Sequence, residues 1–159
     1  MKKLVNEVYK KLKEKGYKVA TAESCTGGLL AGKIIDVSGA SDIIDMSFVT
    51  YSNEAKNELV NVSFETINKY NVVSEEVAKE MAEGAARRAK CKVGLSTTGV
   101  AGPKGGTEKI PVGTVCFGIY IDGKTTTYRH VFKNISRQYV RNAAVKFILK
   151  RLEEQLWKE

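Results

Sequence analysis

Histidine is almost missing from this chain. His130 is the only one in 159 residues, so any site that needs two histidines is excluded. A catalytic pair of His130 with a serine or cysteine would have to form across a long stretch of chain. Cysteine is scarce as well: Cys25, Cys91 and Cys116 are odd in number and widely scattered. They form no disulfide framework and show no metal-ligand spacing. Cys91 and Cys116 lie in apolar surroundings and are expected to be buried. No apolar run approaches the length of a membrane span, and the amphipathic start Met1-Lys2-Lys3-Leu4-Val5 does not have the form of a signal peptide. A cytoplasmic protein is expected. There is no linker, internal repeat or low-complexity segment, and the length fits one domain with a real core.

Positive charge is plentiful, with 26 Lys+Arg against 18 Asp+Glu and a formal net charge of +8. The lysines alternate with Glu and Asn along helices, and no aromatic–basic ladder or reader motif accompanies them. The pattern fits a solvated surface better than a nucleic-acid interface. A positive field also suits a small anionic substrate.

Hydrophobic periodicity divides the chain into helices and strands. Leu4 to Lys15 is a helix ended by Gly16, and Tyr17 to Thr21 is a first strand. A helix from about Thr26 to Asp36 follows, broken by Val37-Ser38-Gly39. Met46 to Tyr51 reads as strand two, Glu54 to Val60 as a helix capped by Ser52-Asn53, and Phe64–Tyr70 as a weak helix. Ser74 caps a long helix to about Lys90, with Val77, Met81, Ala85 and Ala89 in one narrow stripe. Val93 to Thr98 is a central strand, followed by a glycine-rich loop. Val112 to Ile121 and Thr125 to Phe132 alternate around Asp122-Gly123, a strong hairpin signal. Ser136 caps a closing helix with Val140, Ala144, Phe147, Leu152 and Leu156 on its apolar side. The order predicts one α/β domain: a mixed sheet flanked by helices, with a C-terminal antiparallel hairpin and a closing helix.

The stretch Ala22-Glu23-Ser24-Cys25-Thr26-Gly27-Gly28 carries the most chemistry. A strand, a tight polar turn and a helix in that order set Ser24, Cys25 and Thr26 beside free backbone N–H groups, which favour an anion or a developing oxyanion. The geometry is that of a nucleophile elbow without its G-x-S-x-G signature. A plain helix cap by Ser24 or Thr26 is the alternative. Gly27-Gly28-Leu29-Leu30-Ala31-Gly32-Lys33 fits G-x-x-x-x-G-K, but Ile34 stands where a magnesium-binding Ser or Thr belongs, and the run reads as helix.

Without histidine, a serine nucleophile needs another proton acceptor, and a neutral lysine can serve. Its amine must be desolvated, which places it beside buried sequence. Lys56, one helical turn beyond a cap that follows strand two, meets this condition; an ordinary surface lysine is the alternative. Thr98 and Gly99 end a central strand at a glycine-rich loop, where open α/β sheets place their ligand crevice. Arg137 and Arg141 share one face at the start of the last helix and could grip a phosphate or carboxylate. Cys25 is a rival nucleophile, since a thiol needs only a lowered pKa.

Six segments, in order along nearly the whole chain, resemble the C-terminal domain family of the competence/damage-inducible protein CinA. They are the Ser24 stretch, Gly39-Ala40-Ser41, Tyr51-Ser52-Asn53-Glu54-Ala55-Lys56, Val73-Ser74-Glu75 with Met81-Ala82, Thr98-Gly99-Val100-Ala101-Gly102-Pro103, and Pro111-Val112-Gly113-Thr114-Val115. Members of that family include nicotinamide-mononucleotide amidohydrolases. The resemblance implies a catalytic serine at Ser24, a lysine at Lys56, a threonine at Thr98 and an arginine at Arg137, with Arg141 its near neighbour. It implies hydrolysis of a carboxamide on a small anionic nucleotide; substrate contacts are expected from Cys25, Thr26, Gly27, Tyr51, Gly99 and Arg141. It further implies a homodimer, no metal or other cofactor, and the stand-alone form of the domain. A non-catalytic nucleotide-binding domain is the alternative. Three places depart from the family pattern: Asp45-Met46-Ser47 and Lys104 stand where glycines are common, and Ile135-Ser136 replaces Gly-Asp.

Overall fold

The structure, a computed structural model, describes residues 1–158. Five strands form one mixed sheet in the order β2-β1-β3-β4-β5. β1 (Val19–Glu23) lies parallel to both β2 (Phe48–Val49) and β3 (Val93–Gly99). β4 (Thr114–Ile121) and β5 (Lys124–Val131) run antiparallel beside β3, joined at Asp122-Gly123. Both turn residues have the positive φ that this hairpin requires, 43° and 98°.

Alternation along the strands divides the core into two layers. Val19, Val93, Leu95, Val115, Phe117, Ile119 and Ile121 face one side. There α1 (Lys2–Lys15) contributes Val5, Val8 and Leu12, and α6 (Arg137–Lys158) contributes Val140, Ala144, Ile148, Leu149 and Leu152. The short α2 (Leu29–Ile34) joins this layer through Leu30 and Ile34. Ala20 and Ala22 face the other side, against α3 (Asn53–Val60), α4 (Phe64–Tyr70) and α5 (Glu75–Ala89).

Small residues set how closely α5 approaches the sheet. Its buried side chains include Ala78, Met81, Ala82, Ala85 and Ala86, a broader stripe than Val77-Met81-Ala85-Ala89 alone. Opposite them stand Gly94 and Gly118, where an added Cβ would run into the carbonyl oxygens of Ala82 and Ala78. Ser96, directly opposite Gly118, donates its hydroxyl to the same Ala78 carbonyl.

The sequence-based boundaries shift most at three elements. β1 is Val19–Glu23, not Tyr17–Thr21, because Glu23 is fully buried and bonded within the fold, so a charged residue belongs to the strand. α2 starts at Leu29, not Thr26, because Gly27 (φ 53°) and Gly28 (φ 101°) are left-handed and hold residues 24–28 in a turn. β2 shrinks to Phe48–Val49, an edge strand paired with β1 alone. Cys116 is buried as expected, whereas Cys91 is only half-buried.

Gly94→Ala is expected to lower stability by about 1–3 kcal/mol, as overpacking does. In thermal unfolding of a chain this long, each kcal/mol lowers the midpoint by about 2–4 °C.

Candidate active site

The carboxyl ends of the parallel strands converge on one cleft, as they do in open α/β sheets. Ser24 follows β1, Thr50 follows β2, and Thr98 and Gly99 end β3. Main-chain bonds lock these ends together: Ser24 N–H donates to Thr97 O (2.9 Å) and Thr50 N–H to Glu23 O (2.8 Å). The cleft holds about 310 Å³ and is lined by Ser24, Cys25, Tyr51, Lys56, Thr98 and Arg137, among others.

Lys56 reaches this point from α3. Ser52 caps that helix by accepting the Ala55 N–H (3.0 Å), which fixes its start one turn before Lys56. The Lys56 side chain then runs inward and is 1% exposed. Its Nζ lies 2.9 Å from Thr50 O and 3.3 Å from Ser24 Oγ. Burial pushes the amine's pKa below its ordinary value. In the neutral form one N–H stays on the Thr50 carbonyl and the nitrogen lone pair is available to the Ser24 hydroxyl. The pair can therefore act as nucleophile and general base.

The rival thiol lies in dry surroundings. Cys25 lines the cleft, yet it is buried, and desolvation pushes its pKa up to about 12. A neutral thiol is a poor nucleophile. Burial pushes Cys116 up to about 12 as well.

The turn distributes its backbone donors unevenly. Gly27 N–H closes on Ser24 O (3.1 Å) and Leu29 N–H on Thr26 O (2.9 Å), while Gly28, Leu30 and Ala31 N–H all go to the Glu23 carboxylate. Thr26 is fully buried, so neither it nor Gly27 turns a donor toward the cleft. The N–H of Cys25, the residue after the nucleophile, is the donor best placed for an oxyanion. The Thr98 hydroxyl is also committed, donating to Val72 O (2.9 Å), so this side chain shapes the wall.

The two arginines separate clearly. Arg137 lines the cleft, with its guanidinium donating to Gly102 O (2.7 Å) and to the Tyr51 hydroxyl (3.0 Å). Arg141 lies behind the turn, donating to Cys25 O (2.9 Å) and Thr26 O (3.3 Å), and braces it from outside the cleft. Lys104, from the Gly-Pro loop, also lines the cleft; it is exposed and forms no ion pair among the described residues. With Lys104 and Arg137 on its walls and no carboxylate among its lining residues, the cleft favours an anion.

Other sequence features lie elsewhere. His130 is exposed on β5, packed on the rings of Phe132 (4.4 Å between centroids) and Phe147 (5.1 Å). Residues 29–34 of the glycine–lysine run are helix, and Lys33 pairs with Asp36 at 2.6 Å. Among the described residues no group of three or more His, Cys, Asp or Glu could hold a metal ion, and no helix is long and apolar enough to cross a membrane. Glu23 and Thr97 were not singled out as site residues in the sequence. The available signal was the strand alternation Val19, Thr21, Glu23, which aims an acid inward just before a Gly-Gly turn.

A five-stranded α/β sheet with a buried lysine beside a turn serine, in a cation-lined cleft, defines the class: a serine–lysine site at the strand ends. Comparison with known proteins gives the family. The family model of the CinA C-terminal domain matches residues 1–156, and the chain belongs to that family. A Clostridium botulinum (strain Loch Maree / Type A3) protein whose name describes it as competence-damage inducible is 51% identical over 138 residues, covering 87% of this chain and 34% of its own length. A Clostridioides difficile (strain 630) protein with the same description is 45% identical over 155 residues, covering 98% of this chain and 37% of the relative. The chain thus spans about a third of the length of these curated relatives. A solved CinA superfamily structure from Klebsiella pneumoniae is 34% identical, with a TM-score of 0.94, covering 99% of this chain and 98% of that one. The competence/damage-inducible protein CihA from Agrobacterium tumefaciens is 36% identical, with a TM-score of 0.91, covering 94% and 92%.

The lowered Lys56 pKa has two pH consequences. The neutral amine is the form that can take a proton, so a reaction using it as base speeds up with pH through the Lys56 pKa and levels off above it. For stability, the unfolded chain binds more protons than the folded one between that depressed pKa and the ordinary value, so this group's penalty is greatest at low pH and fades as pH rises. The difference in unfolding temperature between Lys56→Met and the parent should therefore shift in favour of the variant as pH falls, read in a buffer series.

Proposed function

We propose that this domain hydrolyses the carboxamide of nicotinamide mononucleotide, giving nicotinate mononucleotide and ammonia. The observation that carries the reading is the buried Lys56 amine 3.3 Å from Ser24 Oγ, in a cleft whose only charged walls are cationic. CinA-family membership supports it, because the family includes nicotinamide-mononucleotide amidohydrolases.

Ser24 Oγ attacks the carboxamide carbon while neutral Lys56 takes the hydroxyl proton. The carbonyl oxygen, now an oxyanion, is met by the Cys25 N–H; such a donor contributes about 2.7–4 kcal/mol of transition-state stabilisation. Lys56 returns its proton to the amide nitrogen as the C–N bond breaks, and ammonia leaves an acyl-serine ester. Water then attacks that ester with Lys56 again as base, releasing the carboxylate and restoring Ser24. The substrate's phosphate is held by Arg137, and Lys104 adds a second cation at the mouth.

The assay is ammonia release from the mononucleotide, run beside nicotinamide and the riboside. Ser24→Ala and Lys56→Ala are expected to abolish release, whereas Cys25→Ala lowers it only modestly through packing. Binding of the mononucleotide by calorimetry without any release would replace the enzyme reading with a nucleotide-binding one. An active Ser24→Ala beside a dead Cys25→Ala would make the thiol the nucleophile. Lys104→Gly is expected to raise KM for the mononucleotide several-fold, leave kcat nearly unchanged, and have little effect with the riboside, which lacks the phosphate.

A further inference from the structure

The proposed reaction makes no use of Glu23, yet this is the most heavily bonded side chain near the cleft. It ends β1, is fully buried, and forms no ion pair among the described residues. Five donors surround it instead. Oε1 accepts from Thr26 Oγ1 (2.7 Å), Leu30 N–H (2.8 Å) and Gly28 N–H (3.2 Å). Oε2 accepts from Thr21 Oγ1 (2.9 Å) and Ala31 N–H (3.0 Å).

An ionised carboxylate only accepts, and that fact directs every bond connected to it. The single hydroxyl proton of Thr26 goes to Glu23. The 2.8 Å contact between Thr26 and Thr97 hydroxyls must then be donated by Thr97. The chain therefore runs one way: Thr97 to Thr26, Thr26 to Glu23. Ser24 lies inside this clamp, its own N–H on Thr97 O and its carbonyl on Gly27 N–H.

We propose that Glu23 is the positioning residue of the nucleophilic turn, its carboxylate fixing the direction of a buried hydrogen-bond chain that holds Ser24 toward Lys56. As a role in turnover this rests on the amidase reading; as a statement about the turn it does not. Replacing the carboxylate with an amide sets an NH2 against either the Gly28 and Leu30 N–H groups or the Ala31 N–H, so the side chain holds the turn with fewer bonds.

The test pairs Glu23→Gln with Thr26→Val and Thr26→Ser in the full chain, well below each unfolding midpoint. Glu23→Gln is expected to lower kcat on the mononucleotide ten- to a hundredfold with KM within twofold. Hydrogen exchange of the peptide spanning residues 24–31, read by mass spectrometry, is expected to accelerate at least tenfold. Thr26→Val, nearly isosteric but without the hydroxyl, loses kcat and exchange protection, and Thr26→Ser rescues most of both. Parent-like kcat and exchange protection in folded Glu23→Gln would overturn the proposal, as would a Thr26→Val indistinguishable from Thr26→Ser. If Glu23→Gln fails to fold, the two Thr26 variants decide. If the parent releases no ammonia, the amidase reading fails by itself, and the exchange rates, which need no substrate, still decide the role of Glu23 in the turn.

Discussion

A carboxylate taken out of water must find donors, and Glu23 finds five within eight residues of itself and none on a charged partner. That requirement ties the end of β1 to the first turn of α2. Carboxylate–amide bonds of this kind are among the stronger ones available to a protein. They draw the Gly28, Leu30 and Ala31 N–H groups onto one residue and make the intervening loop tight. The two left-handed glycines permit that tightness, and Arg141 braces the same turn from behind. Ser24 and Cys25 sit where this local demand puts them, at the mouth of the cleft.

The second constraint is the desolvated lysine. Burying an amine is unfavourable unless its hydrogens are met, and Lys56 is met by Thr50 O and Ser24 Oγ. Its position depends on a chain of ordinary structural choices: a two-residue edge strand, a serine cap, and a helix aimed back at the sheet. The cost of burial is also what makes the amine useful, because desolvation lowers its pKa toward a working base. The same dry surroundings push the adjacent thiol the other way, disfavouring its thiolate.

Close packing on the opposite face keeps these pieces in register. Gly94 and Gly118 let the α5 backbone rest on the central strands, with Ser96 bonded to one of its carbonyls. Small shifts of that helix would move Val72 and Val73, which precede it and line the cleft. Thr98 connects the two regions, bridging from the end of β3 to Val72 O. The site thus depends on residues that never face it.

Much of this was determined by the sequence alone. The alternation of Val112 to Phe132 around Asp-Gly specified the hairpin, and helical spacing with serine caps specified α3, α5 and α6, because these signals are local. The ordered motifs specified the CinA C-terminal domain family, and the lack of histidine directed attention to Ser24 and Lys56. What local signals could not carry was decided by tertiary structure. Glu23 belongs to a strand only because its donors come from the following helix and from Thr26. Arg137 and Arg141 are equivalent by spacing, and the packing of α6 alone sends one into the cleft and the other behind the turn. Thr98 and Gly27 have donors in any reading of the sequence, but which acceptors consume them depends on residues that meet only when the sheet is assembled. Charge, periodicity and capping act over a few residues. The direction of a buried hydrogen bond is fixed by every group within reach, and the chain brings those groups together only by folding.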